Sequence, residues 1–307
     1  MINVYALDPE LLTNWSDFRF FISCFGYEKG RLIAIYPGRW KRQIYDSVQG
    51  TPIERKQIEE SLRRIDRRLV KQTGRSSDGT KKWLDNAIAE NAVRPFHAIV
   101  SRQRSQKVVA NLINADRIDD TIDYDLLDDD DSRLLWKAPI SKVIERDAET
   151  MAVEVADLIN TSNHIRFVDG YFGPDSNPHR RPFQEFMKLF SGRDMSSVKI
   201  EYHCRQVTDK QYFLNRCSGW VTPSIPAGVK VEFCRWEKDN LHNRFILTDK
   251  GGIAFLEGLT SHLGTGREKD VIALLHSDTV ASLNMDFDRT TTSMTLVDTI
   301  EVQGTMV

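Results

Sequence analysis

Leu241-His242-Asn243-Arg244-Phe245-Ile246-Leu247-Thr248-Asp249 is followed by Lys250-Gly251-Gly252 and an apolar run, Ile253-Ala254-Phe255-Leu256. Read as a strand, the stretch has a side-chain period of two. That period puts His242, Arg244, Ile246 and Thr248 on one face and turns Phe245 and Leu247 into a core. An imidazole and a guanidinium then project side by side from the start of the strand, with the Asp249 carboxylate at its far end. Phosphoryl transfer requires a nucleophile or base, a fixed positive charge for the phosphate oxygens and an orienting carboxylate. These three side chains supply that set.

The surroundings of this stretch set the fold class. Residues 165–169, 198–204 and 229–233 read as strands, and residues 270–275 as a further one. A helix is expected from Ser141 to about Asn160, with Ile144, Met151, Val155, Leu158 and Ile159 on its buried side. A second is expected at 182–190, with Phe183, Phe186, Met187 and Phe190 inward, and a third around 208–220. Strands alternating with helices argue for an α/β fold whose sheet is mixed and largely parallel, flanked by helices.

The N-terminal part is expected to be α/β or mostly helical. Residues 31–36 and 95–100 read as strands and 81–90 as a helix. Thr51-Pro52-Ile53-Glu54 offers a hydroxyl cap, a proline at the first helical position and a glutamate three residues after the cap. Ile58, Leu62, Ile65 and Leu69 then form one apolar stripe, with Arg63, Arg64, Arg67, Arg68 and Lys71 on much of the rest. Two readings stand for that basic face: a nucleic-acid surface, or a solvated face laced by Glu54, Glu59, Glu60 and Asp66. The acidic stretch 116–131 reads as a loop or domain boundary, with a phosphate mimic as the alternative. Two domains are therefore expected: residues 1–140 for recognition or assembly, and 141–307 carrying the chemistry.

Composition narrows the classes. In 307 residues, 42 Lys and Arg stand against 44 Asp and Glu, for a net charge of −2. That balance excludes binding by bulk charge but permits a local basic cleft. No run approaches the length of a membrane span, and residues 1–15 lack the pattern of a secretory signal. Cys24, Cys204, Cys217 and Cys234 form no CxxC pair, and the neighbours His203 and Cys204 point to opposite faces of a strand. The thiols read as small buried hydrophobes, and a cytoplasmic protein without metal or cofactor is expected. His97 reads as a structural histidine.

His242-x-Arg244-x4-Asp249, placed after strand–helix alternation and before a glycine-started apolar strand, resembles the His-x-Lys-x4-Asp signature of the phospholipase D superfamily. The resemblance spans roughly residues 141–290, with Asp270 in the place of the family's later acidic residue. Two departures stand out. Arg244 replaces the lysine, keeping the charge and adding a planar fork. Leu256-Glu257-Gly258-Leu259, followed by Thr260-Ser261, occupies the place of the Gly-Ser-x-Asn turn, so the small phosphate donors are missing or displaced.

The resemblance implies a metal-independent phosphodiesterase, a nuclease cleaving DNA or RNA through a phosphohistidine on His242. His242, Arg244 and Asp249 would be catalytic, and Asn243, Glu257 and Asp270 supporting. A single motif implies a homodimer that brings two histidines to one cleft. Single-motif relatives in bacterial antiviral defence imply an ATPase or helicase partner. A basic group, His179, Arg180 and Arg181, with Arg205, Arg235, Lys238 and Arg267, reads as the lining of a phosphate-rich cleft or as ordinary surface charge. No amphipathic membrane-binding helix is apparent, so no membrane partner is expected. Two other readings stand beside the nuclease: an inactive phosphate- or nucleic-acid-binding scaffold subunit, and a phosphodiesterase acting on lipid or small nucleotide esters.

Overall fold

A computed structural model describes residues 1–71, 74–75, 77–118, 135–237, 241–262, 264 and 268–306. The chain divides into two compact units, residues 2–139 and 140–307, and the fold class of both is α/β.

The N-terminal unit is built on β1 (Asn3–Leu7), β2 (Arg31–Ile35), β3 (Leu69–Lys71), β4 (Ala98–Ser101) and β5 (Leu112–Asn114). All pair in parallel, in the order β3-β2-β1-β4-β5. Its described helices are α1 (Trp15–Ser23), α2 (Trp40–Ser47), α3 (Pro52–Arg64) and α4 (Trp83–Val93). The period of two in the strands assigns them to faces. Tyr5, Leu7, Ile33 and Val100 pack with Phe18, Trp40, Ile58 and Leu62 of α1 to α3. Ala6, Ala34 and Ile99 pack on the other face with Leu84 and Ala87 of α4. The sheet is thus doubly wound. The capping box that opens α3 is present, with Thr51 and Glu54 exchanging hydrogen bonds. His97 lies at the foot of β4, its Nε2 2.8 Å from the Leu135 carbonyl.

The C-terminal unit holds β6 (Ser141–Glu145), α5 (Ala148–Asn160), β7 (His164–Asp169), α6 (Asn177–Lys188), β8 (Lys199–Arg205) and α7 (Lys210–Trp220). These are followed by β9 (Lys230–Trp236), β10 (Arg244–Thr248), β11 (Gly252–Phe255), β12 (Lys269–Leu274), α8 (Ser277–Asp286) and β13 (Leu296–Gln303). Its strands form one mixed sheet in the order β13-β9-β8-β7-β10-β11-β12-β6. Parallel pairing is confined to β7, β8 and β9, and the remaining pairs are antiparallel. One face buries a stack of rings, with Phe167 5.4 Å from Phe186 and 5.8 Å from Tyr202. Val168, Cys234, Trp236 and Leu247 point the other way, toward Phe287.

Two expected helices are corrected. Residues 141–145 are a strand, paired with β12. The helix starts only after Asp147, whose Oδ1 accepts the Thr150 N–H at 2.8 Å. Ile144 is seven residues before Met151, so an edge-strand residue mimics helical spacing. The second helix begins at Asn177 rather than Pro182, and Pro182 lies inside it. Lacking an N–H, Pro182 leaves the Pro178 carbonyl without its helical donor. The Ser261 N–H takes that place at 2.9 Å, tying the loop after β11 to the first turn of α6.

Candidate functional site

The mixed pairing gathers one end of the sheet from residues far apart in sequence. β7, β8 and β9 end there at Asp169, Arg205 and Trp236. β10 runs antiparallel to β7 and starts at the same end, with Arg244 opposite Asp169. β11 ends there and β12 begins there, close to Asp270. In open α/β sheets, ligands bind outside the carboxyl ends of the parallel strands. Here that position belongs to the loops around Asp169 and Arg205.

His242 is exposed and lies just before β10, not within it. Its position is set by the preceding residue. Leu241 is buried, and its carbonyl accepts from Arg205 Nε at 2.6 Å. The Arg205 Nη2 lies 3.0 Å from His242 Nδ1. A guanidinium has only donors, so Nδ1 is the acceptor and the neutral ring carries its proton on Nε2. Arg205 and Arg244 both lie against the ring of Tyr171, 4.3 and 5.1 Å from its centroid. Gly170, between Asp169 and Tyr171, makes room for this. A Cβ there would sit 2.7 Å from the Leu241 carbonyl oxygen and 3.0 Å from Arg205 Nε.

Asp169 is buried and orders the loops rather than the cleft. Its Oδ1 accepts from the Tyr171 N–H at 3.0 Å and its Oδ2 from the Leu259 N–H at 2.9 Å. Gly258, with φ +110°, allows this approach, since a Cβ would meet Asp169 Oδ2 at 3.2 Å. The hydroxyls expected to be displaced from the Gly-Ser-x-Asn position are turned away. Thr260 Oγ1 binds Arg146 Nη2, and Ser261 Oγ lies 3.3 Å from the Pro178 carbonyl. Asp270 Oδ1 receives the N–H groups of Glu257 (2.9 Å) and Val271 (2.7 Å), so it braces the same loop. Burial pushes the Asp270 carboxyl above its ordinary value. Asp270 is two strands from β10, about 10 Å at ordinary strand spacing. Glu257 enters the arrangement through its backbone, and Asn243 is exposed beside His242.

Asp249 does not join this group. Its Oδ1 accepts from the N–H groups of Asn163 (2.9 Å) and His164 (3.2 Å), at the start of β7. It lies at the opposite end of β10 from His242, about 20 Å away along an extended chain. Its carboxylate fixes the entry of β7, and the structure does not bring it together with His242 and Arg244.

The basic group also divides. His179 is in the first turn of α6, with Nδ1 2.9 Å from Ser176 Oγ and the ring edge-on to Phe172. Burial lowers its pKa, opposed by the nearby Asp169 charge. Arg180 stacks on Trp220, 4.5 Å from its ring centroid, and Arg181 is exposed. Arg235 is not cleft lining: it is buried and pairs with Asp298 through two bonds of 2.5 and 2.7 Å. Arg267 and Lys238 lie outside the described residues. Arg205 as a partner of His242, and Tyr171, Asp169 and Gly258 as neighbours of Arg244, were not legible from the motif alone. The signal that points to them is a glycine directly after a buried strand, Asp169-Gly170.

One set of metal-type side chains occurs among the described residues: Glu201, His203 and Cys234, with ligand atoms within 4.8 Å of one another. The donor set does not fit a cation. Trp236 Nε1 donates to His203 Nδ1 at 3.0 Å, so the buried neutral ring keeps its proton on Nε2, the nitrogen facing Glu201. Glu201 already receives His164 (2.8 Å), Arg166 (2.7 Å) and Lys199 (2.5 Å). Burial pushes the Cys234 thiol up to about 12.

No family model and no curated protein matches this chain. Among solved structures, the chain is similar to TrmBL2, an archaeal chromatin protein described as showing a novel mode of DNA binding. That match has 12% identity and a TM-score of 0.29, covering 49% of this chain and 52% of that one. A likeness this loose carries no argument about fold or function. No described helix is long and apolar enough to cross a membrane.

Proposed function

We propose that this sheet end binds the phosphate of a phosphodiester, with nucleic acid as the substrate class. The observation that carries the reading is the Arg205–His242 contact. It makes the His242 imidazole an Nε2–H donor beside two guanidiniums held against Tyr171. Asp169, paired in register with Arg244, already accepts two backbone N–H groups, and neither guanidinium has a carboxylate partner among the described residues. Planar guanidiniums recognise phosphate through paired hydrogen bonds, which suits arginine in place of the motif lysine. In this reading the chain resembles the phospholipase D superfamily in its phosphate-holding part.

A second reading keeps the chemistry of that superfamily: metal-independent cleavage of DNA or RNA through a phosphohistidine. The exposed position of His242 against the Arg205 guanidinium favours it. Attack by Nε2 requires that nitrogen to lose its proton, so Arg205 must release Nδ1 to take one up. The N–P bond then forms as the P–O bond to the leaving group breaks. That oxygen takes its proton from a second imidazole, supplied by a second copy of the chain in a homodimer. Within antiviral defence, an ATPase or helicase partner is the proposed trigger for such an enzyme.

One assay separates the two. Labelled oligonucleotides are incubated in EDTA with the wild type and His242→Ala, over a dilution series. The binding reading predicts no cleavage by either protein, with retention weaker for His242→Ala than for the wild type. The phosphohistidine reading predicts products from the wild type only, with a rate per protomer that falls on dilution. Cleavage that persists in His242→Ala would remove both readings of this residue.

A further inference from the structure

The basic face of residues 52–71 is not used by the site above. In the structure its arginines divide by what they face. Arg63 pairs with Glu59 at 2.7 Å on the exposed side of α3. Nearby, Lys41 pairs with Asp66 and Arg42 with Asp46. Arg64 and Arg68 instead line a groove of about 720 Å³ between α1 and α3, together with Arg19 of α1. Among the described residues none of these three has a carboxylate partner. The one acid in the lining, Glu54, is engaged elsewhere, its carboxylate accepting the Thr51 N–H at 2.8 Å and hydroxyl at 2.9 Å. Arg68 is fixed by its Nε, which donates to the Phe25 carbonyl at 2.8 Å.

The floor between these cations is aromatic. Trp15, Phe18 and Phe20 line it, and Trp15 stacks on Phe18 with centroids 5.9 Å apart and planes 17° from parallel. Trp15 and Phe20 are half-buried, so part of each ring faces the groove, and the Arg19 guanidinium lies 6.0 Å from the Trp15 centroid. A volume of this size lies within the range of about 300–1,000 Å³ usual for ligand sites.

We propose that this groove binds single-stranded nucleic acid, with bases on the faces of Trp15 and Phe20 and phosphates on Arg19, Arg64 and Arg68. Aromatic platforms within a positively charged groove are how unpaired strands are held without sequence preference. A duplex hides its base faces and would leave the rings unused. An acidic peptide would match the arginines, but its carboxylates bring no flat π surface to the floor. The proposal rests on the N-terminal unit alone and does not depend on the reading of His242.

The test uses the full chain carrying His242→Ala, which keeps the strand intact during titration. A short fluorescein-labelled thymidine oligonucleotide is followed by anisotropy and by tryptophan emission. Emission is expected to fall on binding, and Trp15→Phe should abolish the fall while retaining affinity. Arg19 and Arg64 are exposed, so Arg19→Glu/Arg64→Glu should fold normally, as checked by urea unfolding. This variant should bind at least about tenfold more weakly. Its slope of log affinity against log salt should be shallower by about 1.4, at ~0.7 per lost phosphate contact. An abasic strand of equal charge should bind about tenfold more weakly than the thymidine strand. Unchanged affinity and slope in the double variant, or equal binding of the abasic strand, would overturn the proposal. So would an acidic peptide that displaces the label at lower concentration than unlabelled oligonucleotide does. A loss confined to Arg244→Ala would instead place strand binding at the sheet end, so the two sites fail separately.

Discussion

A guanidinium donates and never accepts, so the 3.0 Å contact from Arg205 to His242 Nδ1 decides which imidazole nitrogen carries the proton. The motif spacing placed His242 beside Arg244 on one strand face; in the structure β10 begins at Arg244 and His242 lies just before it. The spacing could not reveal Arg205 or Asp169 as partners, because they sit on other strands and meet His242 and Arg244 only through sheet pairing. Gly258 shows the same limit. In sequence it is part of a degraded turn; in space it is the residue that lets Asp169 reach the Leu259 N–H. Gly258→Ala would place a Cβ 3.2 Å from Asp169 Oδ2 in backbone with φ +110°. The expected result is a loss of about 1–3 kcal/mol in unfolding free energy by urea titration. Phosphate affinity should weaken too, because Arg244 packs against the same glycine.

At the scale of elements, hydrophobic spacing found β7, β8 and β9 and the helices between them. It misplaced two helix starts for reasons that are now physical. Ile144 keeps helical spacing from inside an edge strand, and Pro178 opens α6 ahead of Pro182. Spacing also gave no hint of the charged network on β7 and β8. Burial lowers the pKa of His203 below its ordinary 6.5, and its hydrogen-bonded cations hold the Glu201 carboxyl well below the usual carboxylate range. Both shifts act in the same direction. A depressed folded-state pKa gives stability that is fully present above the unfolded value and is lost as pH falls through the folded one. Stability should therefore be level above pH 6.5 and decline as pH falls below it, where unfolded His203 takes up a proton that the folded state resists. His179 contributes with the same sign. Urea unfolding between about pH 8 and 5 checks this, and His203→Asn should flatten part of the decline. A wild-type profile that rises on acidification would contradict the network as described.

For the whole molecule, a net charge of −2 conceals two local concentrations of arginine, one in each unit, that have no carboxylate partner among the described residues. Arg205 and Arg244 meet at the end of the mixed sheet, and Arg19, Arg64 and Arg68 line the aromatic groove of the doubly wound unit. Composition excluded bulk electrostatic binding and left this arrangement unseen, since fields follow the distribution of charge. The central claim concerns His242, and nitrogen-15 NMR of the histidine side chains reads it directly, with His242→Gln assigning the signal. In the full chain near pH 7.5, His242 should show the Nε2–H tautomer, and adding dimethyl phosphate should shift that nitrogen in a saturable way that Arg244→Ala weakens. A proton on Nδ1, or a His242 signal indifferent to dimethyl phosphate, would contradict the account.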